Sequence, residues 1–163
     1  MQSSIMTAAI RGMDARTVRV EADVSRGLPA LNIIGLGDTT VKEAALRVRT
    51  AVVASGFDYP VSRITVNLSP AYLPKKGSGF DLPIALAILA CSGQVFDERL
   101  DRTGFIGELS LDGSIEKCIG VLPMVKALRD AGMRRAVVPA GNIGEAMLVD
   151  NYQIGRASCR ERV

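Results

Sequence analysis

The chain has 163 residues, 48% hydrophobic, 23% charged and 4% aromatic, which is enough to build one ordinary globular core. It contains no histidine, which removes Ser-His-Asp and Cys-His catalysis, the HExxH metalloprotease and histidine-ligated metal sites together. No apolar run approaches the roughly 18 residues that span a bilayer, and Met1-Gln2-Ser3-Ser4 lacks the basic and apolar regions of a secretion signal, so no membrane is implied and the expected location is cytoplasmic.

Residues 4–10 and 15–24 read as strands joined at Gly12-Met13-Asp14, because Val18, Val20, Ala22 and Val24 alternate with Thr17, Arg19, Glu21 and Asp23. A third strand, Ala30 to Ile34, is nearly all apolar, which predicts burial on both faces. A helix follows Gly35-Leu36-Gly37-Asp38. Thr40 with Glu43 predicts a capping box at its start, Gly56 marks its end, and Val41, Ala44, Ala45, Val48, Ala51 and Val52 form its apolar stripe. Lys42, Arg47 and Arg49 lie off that stripe, and a solvated helix face accounts for them. Ile64 to Leu68 reads as a strand, residues 69–79 as a loop rich in Pro, Gly and Lys, and Phe80 to Ala90 as an apolar helix with Pro83 in its first turn. Phe105 to Leu111 and Ser114 to Cys118 suggest a hairpin around Asp112-Gly113. A helix from Gly120 to Ala131, a strand from Ala136 to Val138 and a short helix around residues 143–148 complete the order. Strands first, then alternating helix and strand, point to an α+β two-layer sandwich with a mixed sheet.

The last ten residues, Ile154 to Val163, read like the translation of a sequencing adapter. They divide the chain into a domain of residues 1–153 and a non-native tail of residues 154–163, and they imply that the natural protein continues differently after Tyr152. Arg156, Arg160 and Arg162 against Glu161 give the tail a net +2, so only +1 of the overall +3 remains for the domain. Overall charge then gives no support for nucleic-acid binding. Cys91, Cys118 and Cys159 form no zinc or redox motif, and Cys91 on an apolar helix is expected to be a buried thiol.

No Gly-Lys dipeptide occurs, so a P-loop is excluded, and the pairs Gly35/Gly37 and Gly77/Gly79 do not complete GxGxxG. Asp81 near the first turn of its helix complements the exposed N–H groups there and reads as structural. Ser78 has Lys75, Lys76, Lys117 and Lys126 as candidate bases, but a Ser-Lys dyad needs a desolvated amine within about 3 Å of the hydroxyl, and adjacent lysines in a glycine-rich loop are expected in water.

The runs Lys75-Lys76-Gly77-Ser78-Gly79-Phe80-Asp81-Leu82-Pro83 and Gly104-Phe105-Ile106-Gly107-Glu108-Leu109 resemble the core of a Lon-protease-like domain. In that pattern the nucleophilic serine falls on Gly79 and the lysine base on Leu122, neither of which can attack or move a proton. A more specific resemblance covers about residues 4–149. Val20-Glu21-Ala22-Asp23-Val24-Ser25-Arg26-Gly27-Leu28-Pro29, Arg63-Ile64-Thr65-Val66-Asn67-Leu68-Ser69-Pro70-Ala71 and Val138-Pro139-Ala140 are similar to the N-terminal domain of the Mg-chelatase-like (ChlI-like) AAA ATPases of the ComM/YifB type. Gly37 stands where that family usually has proline.

The resemblance implies the fold shared by Lon protease domains and ribosomal protein S5 domain 2. It further implies a non-catalytic domain of an ATP-driven motor acting on DNA in competence or recombination, serving ring assembly or DNA guidance. This segment would have no cofactor, ATP and Mg2+ belonging to a following AAA domain, and the full protein would form a hexameric ring. The candidate DNA or subunit contacts are Lys75, Lys76, Arg47 and Arg49. The alternatives are a protein-interaction scaffold and a Ser-Lys hydrolase on the Lon frame.

Overall fold

A computed structural model describes residues 2–157. The alternating segments at the start pair as a long antiparallel hairpin, β1 (Gln2–Arg11) with β2 (Asp14–Ser25), Ile5 opposite Val20 and Thr7 opposite Val18. Strand β4 (Arg63–Ser69) adds antiparallel to β2, and β3 (Ala30–Ile34) lies parallel to β4 at the sheet's edge. Beyond β1 follow β5 (Thr103–Phe105), β8 (Arg135–Pro139) and β9 (Gln153–Ala157), all parallel. The result is a mixed seven-stranded sheet in the order β3-β4-β2-β1-β5-β8-β9. With four α-helices against it among the described residues, the class is α+β with a mixed sheet.

Helices α1 (Thr39–Ala54) and α2 (Asp81–Cys91) cover one apolar cluster that takes Ile5 and Ala9 from β1. Neighbouring residues Met6 and Ala8 join a second cluster under α3 (Val121–Asp130) and α4 (Ile143–Ala146). Since successive side chains of a strand point to opposite faces, β1 is covered on both. Every residue of α2 except Ala90 is buried, which explains its lack of a polar stripe. Gly104 lies beneath α3, where a Cβ would stand 2.4 Å from Leu128 Cδ1.

Three local expectations need correction. β3 alternates exposed and half-buried residues, because only its Leu31/Ile33 face packs on the core while Ala30, Asn32 and Ile34 point to the other, uncovered face, and an apolar run does not distinguish that from a strand buried on both faces. The cap of α1 is Asp38, whose Oδ1 accepts from Val41 N–H at 2.8 Å, two residues before the expected Thr40 of the Thr40/Glu43 box. The stretch from Phe105 to Leu111 is not one strand: β5 ends at Phe105, and β6 (Glu108–Leu109) forms a separate hairpin with β7 (Ile115–Glu116). Gly107 forces the break, because its N–H donates to Gly79 O at 3.1 Å and its carbonyl accepts from Leu82 N–H at 2.9 Å, binding it to the start of α2. Residues 154–157 of the adapter-like stretch are part of β9, paired with β8 through the backbone, which any sequence without proline can do. The rest of that stretch, Cys159 included, lies outside the described residues.

Candidate functional site at the mouth of helix α2

The glycine-rich loop before α1 and the one before α2 are tied together. Lys75 N–H donates to Leu36 O at 3.0 Å and Asp38 N–H to Lys75 O at 2.9 Å, so the two loops run side by side. The Lys75 side chain turns inward, fully buried, and its Nζ donates to Gly35 O at 2.6 Å and to Pro70 O. Burial lowers the pKa of this ammonium from its ordinary value. Gly35 is required here, because at φ 110° a Cβ would lie 2.2 Å from Leu68 O. Asp38 adds a second tie: while Oδ1 caps α1, Oδ2 accepts from Gly77 N–H at 3.3 Å.

Lys75 was expected in water, and this is corrected: its charge is satisfied by carbonyls from both loops. Lys76 is exposed as expected. Arg47 is not a solvated residue either. Its Nε donates to Asp81 Oδ2 at 2.7 Å and its Nη2 to Asp81 Oδ1 at 3.1 Å and to Thr40 O at 2.8 Å. Asp81 is wholly buried and also accepts from Leu109 N–H at 3.1 Å, so one carboxylate joins α1, α2 and β6. Its role is structural, through the guanidinium and β6. Arg49 stays exposed, its guanidinium 5.8 Å from the centre of the Tyr59 ring. Of the four candidate contacts, Lys75 and Arg47 are therefore bound internally, while Lys76 and Arg49 face outward.

Gly79 borders a cleft of about 210 Å³ lined by Ser78, Glu108, Lys117, Cys118, Met124 and their neighbours. A Cβ at Gly79 would find ordinary contacts, 3.6 Å from Cys118 Sγ and 3.6 Å from Ile106 Cγ2. The Ser78 hydroxyl donates to Glu108 Oε2 rather than meeting a lysine, and Lys76, Lys117 and Lys126 are all exposed. Leu122 packs against the cluster under α3, and its N–H donates to Glu145 Oε1 at 2.9 Å. Burial pushes the Cys118 thiol up to about 11, so it is not an activated nucleophile. The pairing of Ser78 with Glu108 escaped sequence reasoning; the only signal was the glutamate following Gly107 in the second Lon-like run. Among the described residues no group of three or more His, Cys, Asp and Glu side chains could hold a metal ion, and no helix is long and apolar enough to cross a membrane.

Residues 20–142 match the family described as subunit ChlI of Mg-chelatase. The chain belongs to that family. This ChlI-family domain is 44% identical over 148 residues to an uncharacterized protein of Mycobacterium tuberculosis and 42% identical over 148 residues to the uncharacterized protein YifB of Escherichia coli. It is 42% identical over 147 residues to the competence protein ComM of Haemophilus influenzae. These matches take in 90–91% of the chain but only 29% of each relative, so the domain spans less than a third of their length. A Lon protease of Methanosarcina barkeri is 31% identical over 132 residues, 76% of the chain and 16% of that protein, consistent with the Lon-like fold.

Proposed function

We propose that this ChlI-family domain is a non-catalytic part of an ATP-driven, DNA-processing AAA motor, serving ring assembly or DNA guidance. The observation that carries the reading is the state of the α2 mouth. The nucleophile position is Gly79, the base position is Leu122, the neighbouring Ser78 hydroxyl is bound to Glu108, and the nearest lysine in sequence outside the exposed set, Lys75, is buried against carbonyls. A Ser-Lys dyad needs the amine on the hydroxyl, and here the Ser78 hydroxyl is engaged by a carboxylate instead. The name of the relative ComM, a competence protein, supports the DNA part of the reading. ATP and Mg2+ binding are assigned to other segments of a longer parent, since the chain holds no Gly-Lys dipeptide. A homo-oligomeric ring in the cytoplasm is part of the same proposal.

The test has two arms. Purified domain should show no peptidase activity and no ATP binding; peptide cleavage that vanishes in Ser78→Ala would overturn the non-catalytic reading. For DNA, the exposed Lys76 is the one free ammonium of this loop, so Lys76→Ala in the assembled parent should flatten the salt dependence of binding by about 0.7–0.9 units of slope. An unchanged slope and affinity would favour a protein-interaction scaffold instead.

A further inference from the structure

The outer rim of β3 is apolar and unguarded. Leu28, Ile34, Leu36, Leu46, Val53 and Val61 are between 54% and 83% exposed around this one edge. A groove of about 440 Å³ runs between β3 and α1, lined by Leu31, Leu46, Val53, Tyr59 and Val61. Arg49 is the single charged residue lining it, and its guanidinium already lies over Tyr59. Strands left at the edge of a sheet are normally blunted by a lysine, a proline or a bulge. β3, Ala30-Leu31-Asn32-Ile33-Ile34, has none of these, and its far side has no partner among the described residues.

We propose that β3 pairs antiparallel with β3 of a second copy, about a two-fold axis through Asn32, so that the two sheets become continuous. The sequence is self-complementary in that register. Asn32 stands opposite Asn32, where two amides can bond to each other, and exposed Ile34 stands opposite the small Ala30 of the other copy. On the helix side, Leu31 faces Ile33, and the exposed Leu46 and Val53, seven apart on α1, close over the seam. The groove's one charge, Arg49, lies over Tyr59 on the α1 side, the rest of the lining is uncharged, and β3 is itself an uncharged, mostly apolar strand, so a single patch provides both the edge and its occupant. This contact goes beyond the motor reading. A two-fold contact joins like surfaces and closes on itself, so it cannot be the repeated contact within one ring and would instead link two rings or two free domains.

The experiment is light scattering of the whole chain over a concentration series, with register-specific cross-linking. In a Cys159→Ser background, Asn32→Cys should form an intermolecular disulfide, because facing residues of antiparallel strands lie about 4.5–5.5 Å apart at Cα. Ala30→Cys alone should not, but mixed with Ile34→Cys it should. Asn32→Lys and Leu46→Glu place like charges across the seam at positions already exposed, and each should raise the dimer dissociation constant about tenfold or more with unchanged circular dichroism. A chain that stays monomeric at about 100 µM, the weak end for a small interface, overturns the proposal. So does a dimer indifferent to both substitutions, or protection of β3 in the full parent by another segment of the same molecule.

Discussion

Arg47 and Asp81 meet between α1 and α2 in a two-pronged pair, Nε to Oδ2 at 2.7 Å and Nη2 to Oδ1 at 3.1 Å, with the Asp81 side chain removed from water. Burial favours the neutral acid while the guanidinium and Leu109 N–H favour the carboxylate. Replacing Arg47 with methionine would leave that carboxylate uncompensated and should cost about 3–5 kcal/mol. Arg47→Lys keeps the charge but loses the fork, and should fall between. Urea unfolding of the three proteins measures this; a loss below about 1 kcal/mol in Arg47→Met would mean the pair does not hold the helices together.

Lys75→Met should destabilise the domain by about 1–3 kcal/mol, because the carbonyls of Gly35 and Pro70 lose a buried donor. Lys76→Met, one residue on but exposed, should stay within about 0.5 kcal/mol of the parent. Equal effects of the two substitutions in a denaturant titration would contradict the inward placement of Lys75.

Tyr152 has a buried hydroxyl with no hydrogen-bond partner among the described groups. Tyr152→Phe should therefore be neutral or stabilising, by up to about 1 kcal/mol. Burial pushes the phenol up to about 12 from an ordinary 10.0. The unfolded chain then gives up this proton first, so stability is kept below the ordinary value and lost as pH rises toward the folded one. Thermal melts between pH 9 and 12, roughly the span that brackets tyrosine ionisation, should fall more steeply for the parent than for Tyr152→Phe, and parallel curves would reject the assignment.

Gly79→Ser should fold normally, since the site leaves a Cβ at van der Waals distance from Cys118, Ile106 and Met124. Gly104→Ala, by contrast, drives a methyl into Leu128 and should cost about 1–3 kcal/mol. Melting curves separate the two outcomes; a collapse of Gly79→Ser would mean the cleft beside α2 is not open in solution.

The long hairpin, α1 and α3 were legible in the sequence because their periodicities of two and near four are set by which faces are buried, whereas α2, buried almost all round, was legible from its continuous apolar run and Pro83 in its first turn. The Lon-like runs led to Gly79 and Leu122, and so to the mouth of α2. The inward turn of Lys75 was not legible, because a lysine in a glycine-rich loop looks the same whether its amine meets water or two carbonyls brought from residues 35 and 70. The partnership of Arg47 with Asp81 spans 34 positions and leaves no periodic trace. Nor could an apolar run such as Ala30 to Ile34 declare whether its outer side is covered.

Asp38 reaches the first turn of α1 with one carboxylate oxygen and the amide of Gly77 with the other. With the strand-like bonds between Leu36, Asp38 and Lys75, this makes the two glycine-rich loops a single opening unit. Unravelling the entry to α1 must release the segment that leads into α2, so amide hydrogens at Val41, Lys75 and Gly77 are bound to exchange with solvent on a common schedule, although they lie in different parts of the chain.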